Sequence, residues 1–251
     1  MTESHPASIA TFLDMVQEAG LIAGFTGAGI STESGIPDFR SPGSPWMRHK
    51  PIPFDLFLQS AEARREAWRR KFAMDDLYRG ARPSQGHIGL AALAASGRMP
   101  AVITQNIDGL HQESGLSADQ VIELHGNGTY AKCLACARRH ELDWVRQCFD
   151  ADGDPPECIA CGGVLKSATI SFGQAMPDEA MRRAQKLTRS CDLFLVAGSS
   201  LIVYPAAAFP AFAKENGATL IIVNREPTPL DSEADLVIHA EIGPIFSKFI
   251  T

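Results

Sequence analysis

Four cysteines carry the clearest chemistry in this sequence. Cys133 and Cys136 are separated by two residues, as are Cys158 and Cys161, and 21 residues lie between the pairs. Thiolates on two tight C-x-x-C turns can close a tetrahedron of soft ligands around zinc. Four such ligands leave no position for water, so the expected metal is one structural zinc that takes no part in catalysis. Two unrelated pairs, or a redox C-x-x-C, are the alternatives. Cys148 and Cys191 fit no such pattern and read as small core residues.

His125 and Asp108 come next. A histidine titrates near neutrality, so at a strand end in a cleft it can take a proton from a hydroxyl. Asp108, in the run Gln105-Asn106-Ile107-Asp108-Gly109, can accept from an amide NH2 or close an Asx turn with Gly109. His87 and His111 read as structural groups, and His5, His49, His140 and His239 belong to no motif. Gly27-Ala28-Gly29 follows an apolar run, an arrangement that aims backbone N–H groups at a phosphate. The third small residue of the dehydrogenase fingerprint is missing, and no acidic residue closes a second strand about 20 residues on. Hydride transfer is therefore a poor fit, while a dinucleotide ligand stays open. Gly198-Ser199-Ser200 can add phosphate or ribose donors, or cap a helix. Asn224 and Glu226 can hold ribose hydroxyls, or form a turn before Pro227.

These residues need strands to present them. Short apolar runs at 21–25, 101–104, 121–124, 168–173, 193–197, 219–223 and 236–238 predict strands. Helices are expected from Ser8 to Gly20, from 86 to 96 behind a Ser84 cap, and from Asp178 to Ser190. Strands alternating with helices imply a parallel sheet covered on both faces, with ligands beyond the strands' C-terminal ends. Those ends read TGAG, TQNID, ELHGN, GSS and VNRE, each polar or glycine-rich. Residues 45–84, rich in Arg, Glu and Trp, and the cysteine-bearing stretch at about 131–164 read as excursions from this sheet. The 251 residues are 45% hydrophobic and 21% charged, which argues for a globular chain. A net charge of -6 gives no general attraction to nucleic acid or an anionic membrane. No apolar window is long enough to span a bilayer and the N-terminus has no basic leader, so a cytoplasmic location with reduced cysteines is expected.

In order along the chain stand GAGISTESGIPDFR at 27–40, TQNIDGLH at 104–111, His125-Gly126-Asn127, the two cysteine pairs, Gly198-Ser199-Ser200 and Val223-Asn224. This set resembles the sirtuins, NAD-dependent protein-lysine deacylases, and the resemblance runs from about residue 20 to about 245. It implies an α/β fold: a Rossmann-like NAD-binding domain of 1–44, 85–130 and 167–251, with a small part made of a helical insertion at 45–84 and a zinc module at 131–166. It implies NAD as co-substrate and acyl-lysine proteins as substrates, with no membrane or direct nucleic-acid partner. Gly27, Ala28, Gly29, Asp38, Phe39 and Arg40 would border the pyrophosphate and nicotinamide. Gln105, Asn106 and Asp108 would form the nicotinamide and ribose pocket. Gly198, Ser199, Ser200, Asn224, Glu226 and Ile242 would hold the phosphate and adenosine end. His125 would be the general base on a ribose hydroxyl, with Asn106 beside it, and Ser171, Phe172 and Gly173 would pair edge-on with substrate backbone. Nicotinamide would leave, and the acyl group would pass from lysine to ADP-ribose. Members that remove acidic acyl groups carry Tyr-x-x-Arg in the helical part. Here Tyr78 is followed three places on by Ala81, which favours neutral acyl groups, although Arg69 or Arg70 is available as a substitute. Gln174 stands where many members have Glu. Mono-ADP-ribosyl transfer from the same pocket, or a non-catalytic NAD-binding module, are the competing readings.

Overall fold

Six apolar runs assemble into one parallel sheet because each is apolar on both faces and must be covered twice. The computed structural model describes residues 6–38, Ser44 and 50–250. The strands are β1 (Ile22–Thr26), β2 (Ala101–Thr104), β3 (Val121–Glu123), β7 (Leu193–Ala197), β8 (Thr219–Val223) and β9 (Leu236–Ile238), in the order β3-β2-β1-β7-β8-β9. Successive residues of a strand enter opposite cores. Leu193, Leu195 and Ala197 pack with Phe12, Leu90 and Phe246 on one face. Phe194 and Val196 pack with Ala184, Phe209 and Ala213 on the other. The first face is covered by α1 (Pro6–Glu18), α4 (Gln85–Ala95) and α9 (Ile242–Phe246), the second by α7 (Asp178–Ser190) and α8 (Phe209–Glu215). The α1 helix begins at Pro6 and not behind Ser8; proline is well tolerated in a first turn, where its missing N–H costs nothing. Ser84 caps α4 as expected, its hydroxyl taking the His87 N–H while the His87 ring takes the Ser84 N–H.

A second, antiparallel sheet has the order β5-β4-β6, from β4 (Gly126–Cys133), β5 (Arg139–Glu141) and β6 (Leu165–Thr169). Both ends of the 131–166 stretch therefore fall inside strands of this sheet. It carries α6 (Leu142–Asp152) and packs against α3 (Ala61–Leu77), which follows the short α2 (Phe54–Gln59). Trp68 and Phe72 of α3 share one core with Val145, Phe149, Cys133, Cys158 and Leu165. The Trp68 indole N–H donates to the Leu165 carbonyl at 3.3 Å. Arg65 with Asp154, and Arg146 with Asp76, tie the two segments at the rim. The helical segment and the cysteine module are thus one folded body. The run expected as a strand at 168–173 ends at Thr169, and Phe172–Gln174 turn away.

Candidate functional site

The strand order reverses direction between β1 and β7, and the crevice beyond their C-terminal ends is where an open α/β sheet takes its ligand. Glycine shapes that crevice. Gly198 has φ 67, and a Cβ on it would lie 2.4 Å from the Ile30 nitrogen. A Cβ on Gly29 would lie 2.8 Å from the Gly198 carbonyl oxygen, which accepts the Gly29 N–H at 2.8 Å. Gly29 therefore serves by close approach, and its N–H is already spent. Ala28 opens the 3-10 helix Ala28–Ser34, where first-turn N–H groups lack intrahelical acceptors. Leu201, just past Ser200, holds φ 54, a costly conformation for a residue with a side chain.

Beneath this crevice Ser31 organises the TQNID segment. Its hydroxyl donates to Asp108 Oδ2 at 2.7 Å and accepts from the Asn106 amide at 3.1 Å. The same Asn106 amide reaches the Gly27 carbonyl at 3.1 Å. The other Asp108 oxygen accepts the Leu110 N–H at 3.0 Å, so the Asx turn and the site contact coexist. Lower still, the His111 Nε2–H donates to Thr26 Oγ1 at 2.8 Å, and that hydroxyl donates to Thr104 Oγ1 at 2.8 Å. Thr104 Oγ1 in turn accepts the Asn106 N–H at 3.0 Å. The His87 ring lies edge-on to His111 at 4.9 Å and within 3.5 Å of the Ser31 hydroxyl. Burial lowers both histidines, His87 to about 4 and His111 to about 3, so the floor of the site is neutral.

His125 sits where β3 hands over to β4. Its Nδ1–H donates to the Gln105 carbonyl at 3.1 Å. That bond fixes the ring and leaves Nε2 as the proton acceptor. Burial pushes its pKa below the usual value, against the Gln105 carbonyl, so the free imidazole is a neutral base at physiological pH. The Gln105 side chain crosses the crevice to the Ser199 hydroxyl at 2.9 Å, which ties the β2 end to the β7 end.

The remaining expected residues divide. Ser199 is buried and also accepts the Leu201 N–H; Ser200 is half-buried beside it. Ile242 packs against Gly86 and Gly198, at the wall of the crevice. The Asn224 amide donates to the Glu226 carbonyl at 2.6 Å, so this pair forms the turn before Pro227, and the Glu226 side chain lies exposed near Arg225. Asp38 lies 3.7 Å from Arg225. Phe39 and Arg40 lie outside the described residues. Ser171, Phe172 and Gly173 form a turn and not a strand. The Ser171 N–H donates to the Gln174 side-chain oxygen, the Gln174 N–H to the Ser171 carbonyl, and the Phe54 N–H to the Phe172 carbonyl. The Phe172 side chain is exposed, as are Ile202 and Tyr204. Ser31, Thr26 and His87 were missed from sequence as site-builders; a hydroxyl on the first turn after a glycine-rich strand end is the signal that points to Ser31.

The four cysteines do come together. Their Sγ atoms all lie within 4.8 Å of one another, with Cys133 to Cys161 and Cys136 to Cys158 at 3.6 Å. Four sulfurs about 2.3 Å from a tetrahedral zinc stand about 3.8 Å apart, so the spacing fits that ion. Charge makes the same point. The Cys136 N–H holds the Cys133 thiol down at about 6. Cys161 accepts the Gly163 N–H, yet its neighbouring sulfurs drive it up to about 12. Four thiolates this close require a cation. His140 lies 3.3 Å from Cys158 through its Nε2.

A crevice at a parallel-sheet switch point, a neutral histidine base and a separate four-cysteine cluster with metal-site spacing define a nucleotide-binding α/β enzyme. The Sir2 family model matches residues 27–205. The chain is 58% identical over 237 residues to an NAD-dependent protein deacetylase of Rhodopseudomonas palustris, covering 94% of both chains. It is 58% identical over 237 residues to NAD-dependent protein deacetylase 1 of Bradyrhizobium diazoefficiens, covering 94% of this chain and 93% of that one. A solved structure described as Sir2 with p53 peptide and NAD+ superposes with a TM-score of 0.84 at 36% identity, covering 96% of this chain and 97% of that one. This protein belongs to the Sir2 family.

Proposed function

We propose that this chain is an NAD-dependent protein-lysine deacetylase that passes the acyl group of a modified lysine to ADP-ribose. The carrying observation is His125, held by Gln105 with Nε2 free at the end of β3, beside the Ser31–Asn106–Asp108 cluster. When bound, NAD supplies an electrophilic ribose carbon as nicotinamide leaves, and hydroxyls to receive the acyl group. His125 takes a proton from a ribose hydroxyl at Nε2. Asp108, fixed by Ser31, accepts from the carboxamide, and Asn106 orients the ribose side. The Gly27–Gly29 and Gly198–Ser200 turns bring backbone against the diphosphate, and Asn224, Glu226 and Ile242 border the adenosine end. Asp38 borders the nicotinamide side, and Phe39 and Arg40, which lie outside the described residues, keep the nicotinamide and phosphate roles that the family resemblance implies. The turn at Ser171–Gly173 meets the substrate backbone, with its uncommitted groups starting at the Phe172 N–H.

From the expected division of 1–44, 85–130 and 167–251 for the NAD-binding unit, we move the two inner edges to 125 and 170, because the small sheet runs from Gly126 to Thr169 and goes with the module. The cysteines hold one zinc that shapes the module. Tyr-x-x-Arg is absent, and Arg69 and Arg70 both pair with Glu66 on α3, which supports acetyl and other neutral acyl groups. No helix among the described residues is long and apolar enough to cross a membrane. A reducing cytoplasm, which keeps thiols available as metal ligands, is the location proposed for this chain.

Mass spectrometry of the purified protein with NAD and an acetyl-lysine peptide tests the reading. Loss of acetyl mass in step with acetyl-ADP-ribose and nicotinamide, only with NAD present, is expected. The His125→Ala protein should fold and lose about 10²–10⁴-fold in turnover. ADP-ribose mass on a protein with the acetyl peptide untouched would put ADP-ribosyl transfer in its place.

A further inference from the structure

Lys166, the second residue of β6, is 5% exposed. Its ammonium donates to the Thr169 carbonyl at 2.6 Å and to the Ser167 carbonyl at 3.4 Å. Burial alone pushes it down to about 8, with no carboxylate among the described residues acting on it. A charged group kept inside without a counter-ion needs strong hydrogen-bond acceptors. Those acceptors sit at a break in the sheet. Ala131 pairs with Ser167, but the next pair is Gly126 with Thr169. That is five steps along β4 against two along β6, so the ladder cannot supply its regular donors across the gap.

The far side of the break leads directly to the chemistry. The Ile170 N–H donates to the His125 carbonyl at 2.8 Å. Gly126, with φ 71, passes so close that a Cβ there would lie 2.1 Å from the Ala168 carbonyl oxygen. One residue beyond Ile170 begins the turn closed by Gln174 and tied to α2 through Phe54.

We propose that Lys166 is a positioning residue: its buried ammonium pins the β4–β6 break and thereby fixes both the backbone of His125 and the turn that meets substrate peptide. This rests on the deacetylase reading for its kinetic consequences, but not for the pinning itself. A methionine at 166 fills similar space and carries no donor, so Thr169 loses its partner and the segment 169–174 loosens.

The test compares wild type with Lys166→Met by amide hydrogen exchange and by kinetics with an acetyl-lysine peptide. Faster exchange in 125–128 and 169–174, with the large sheet unchanged, is expected. So is a loss of about tenfold or more in kcat/KM, shared between kcat and peptide KM, with the KM for NAD within about twofold of wild type. Should Lys166→Met not fold, Lys166→Gln, too short to reach Thr169, carries the same comparison. Unchanged exchange in both segments, or a loss confined to the KM for NAD, overturns the proposal. If wild type itself does not deacetylate, the functional reading fails while the exchange data still decide the pinning.

Discussion

Acid should weaken this protein well above the range in which carboxylates titrate, through two histidines beneath the site. His87 and His111 are 0% and 2% exposed, and His111 Nδ1 has no hydrogen-bond partner. His111 spends its other nitrogen on Thr26, so a second proton would place an unpaired charge in the core. Their folded pKa values, about 4 and about 3, lie below the usual 6.5. The unfolded chain therefore binds more protons than the folded chain below pH 6.5. The stabilisation is complete above that value and is lost as pH falls toward the folded pKa values. At about pH 5 the deficit is about 1.5 pH units for each histidine, or about 2 kcal/mol apiece and about 4 kcal/mol together. For a chain of this length that corresponds to a drop in Tm of roughly 8–16 °C. Calorimetric melts at a series of pH values between about 7.5 and about 5 measure it. Burial also lowers His125 and His140, and both add in the same direction, so the contribution of one buried ring must be isolated. His111→Gln keeps a donor toward Thr26 and cannot take the proton; its melts should be flatter by about 2 kcal/mol over the same window. A wild-type Tm that holds steady down to about pH 5, or a variant with the wild-type slope, would refute the reasoning.

Two further outcomes follow from the contacts described. Removing zinc should dismantle the core shared by Cys133, Cys158, Trp68 and Phe72. Metal analysis should find one zinc per chain, and its chelation should shift tryptophan emission to the red, a shift much reduced in Trp68→Phe; unaltered emission after complete removal would count against a shared core. Ser31→Ala deletes the hydroxyl that Asp108 and Asn106 share. Nicotinamide release should slow about 10–100-fold while the protein stays folded, and near-normal release would mean that Asp108 is held by Leu110 alone.

Where a pattern is local, the sequence was sufficient. The cysteine spacing, the glycine turn after β1, the Ser84 cap and the long apolar strands β7 and β8 are each read from neighbouring residues, and each stands where it was expected. What escaped depends on distant partners. β4 carries no apolar alternation and β5 is only three residues long, and pairing alone makes them strands, β4 with β6 on one side and with β5 on the other. α6 lay hidden in the cysteine stretch because its apolar face is matched to Trp68 and Phe72, which lie about 70–80 residues earlier in the chain. The apolar run at 168–173 kept its period but lost its neighbour, since β4 turns away at Gly126 and leaves the chain to fold back on Gln174. The roles of Ser31, His87 and His111 arise from contacts across 56 to 85 residues of sequence, which no local reading contains.

The core joining α3 to the cysteine module also imposes an order of events on synthesis. Trp68 and its acceptor Leu165 are 97 residues apart. At a ribosomal rate of about 5–20 residues per second, the helical segment waits about 5–20 s for the surface that will cover it. At first Trp68 and Phe72 have chiefly each other to pack on, and their cover is built piece by piece as Cys133, Val145, Phe149, Cys158 and finally Leu165 emerge. With zinc as the proposed occupant of the four cysteines, metal supply during translation, and not only in the finished protein, would set how long an apolar helix face stays open to chaperones and to other nascent chains.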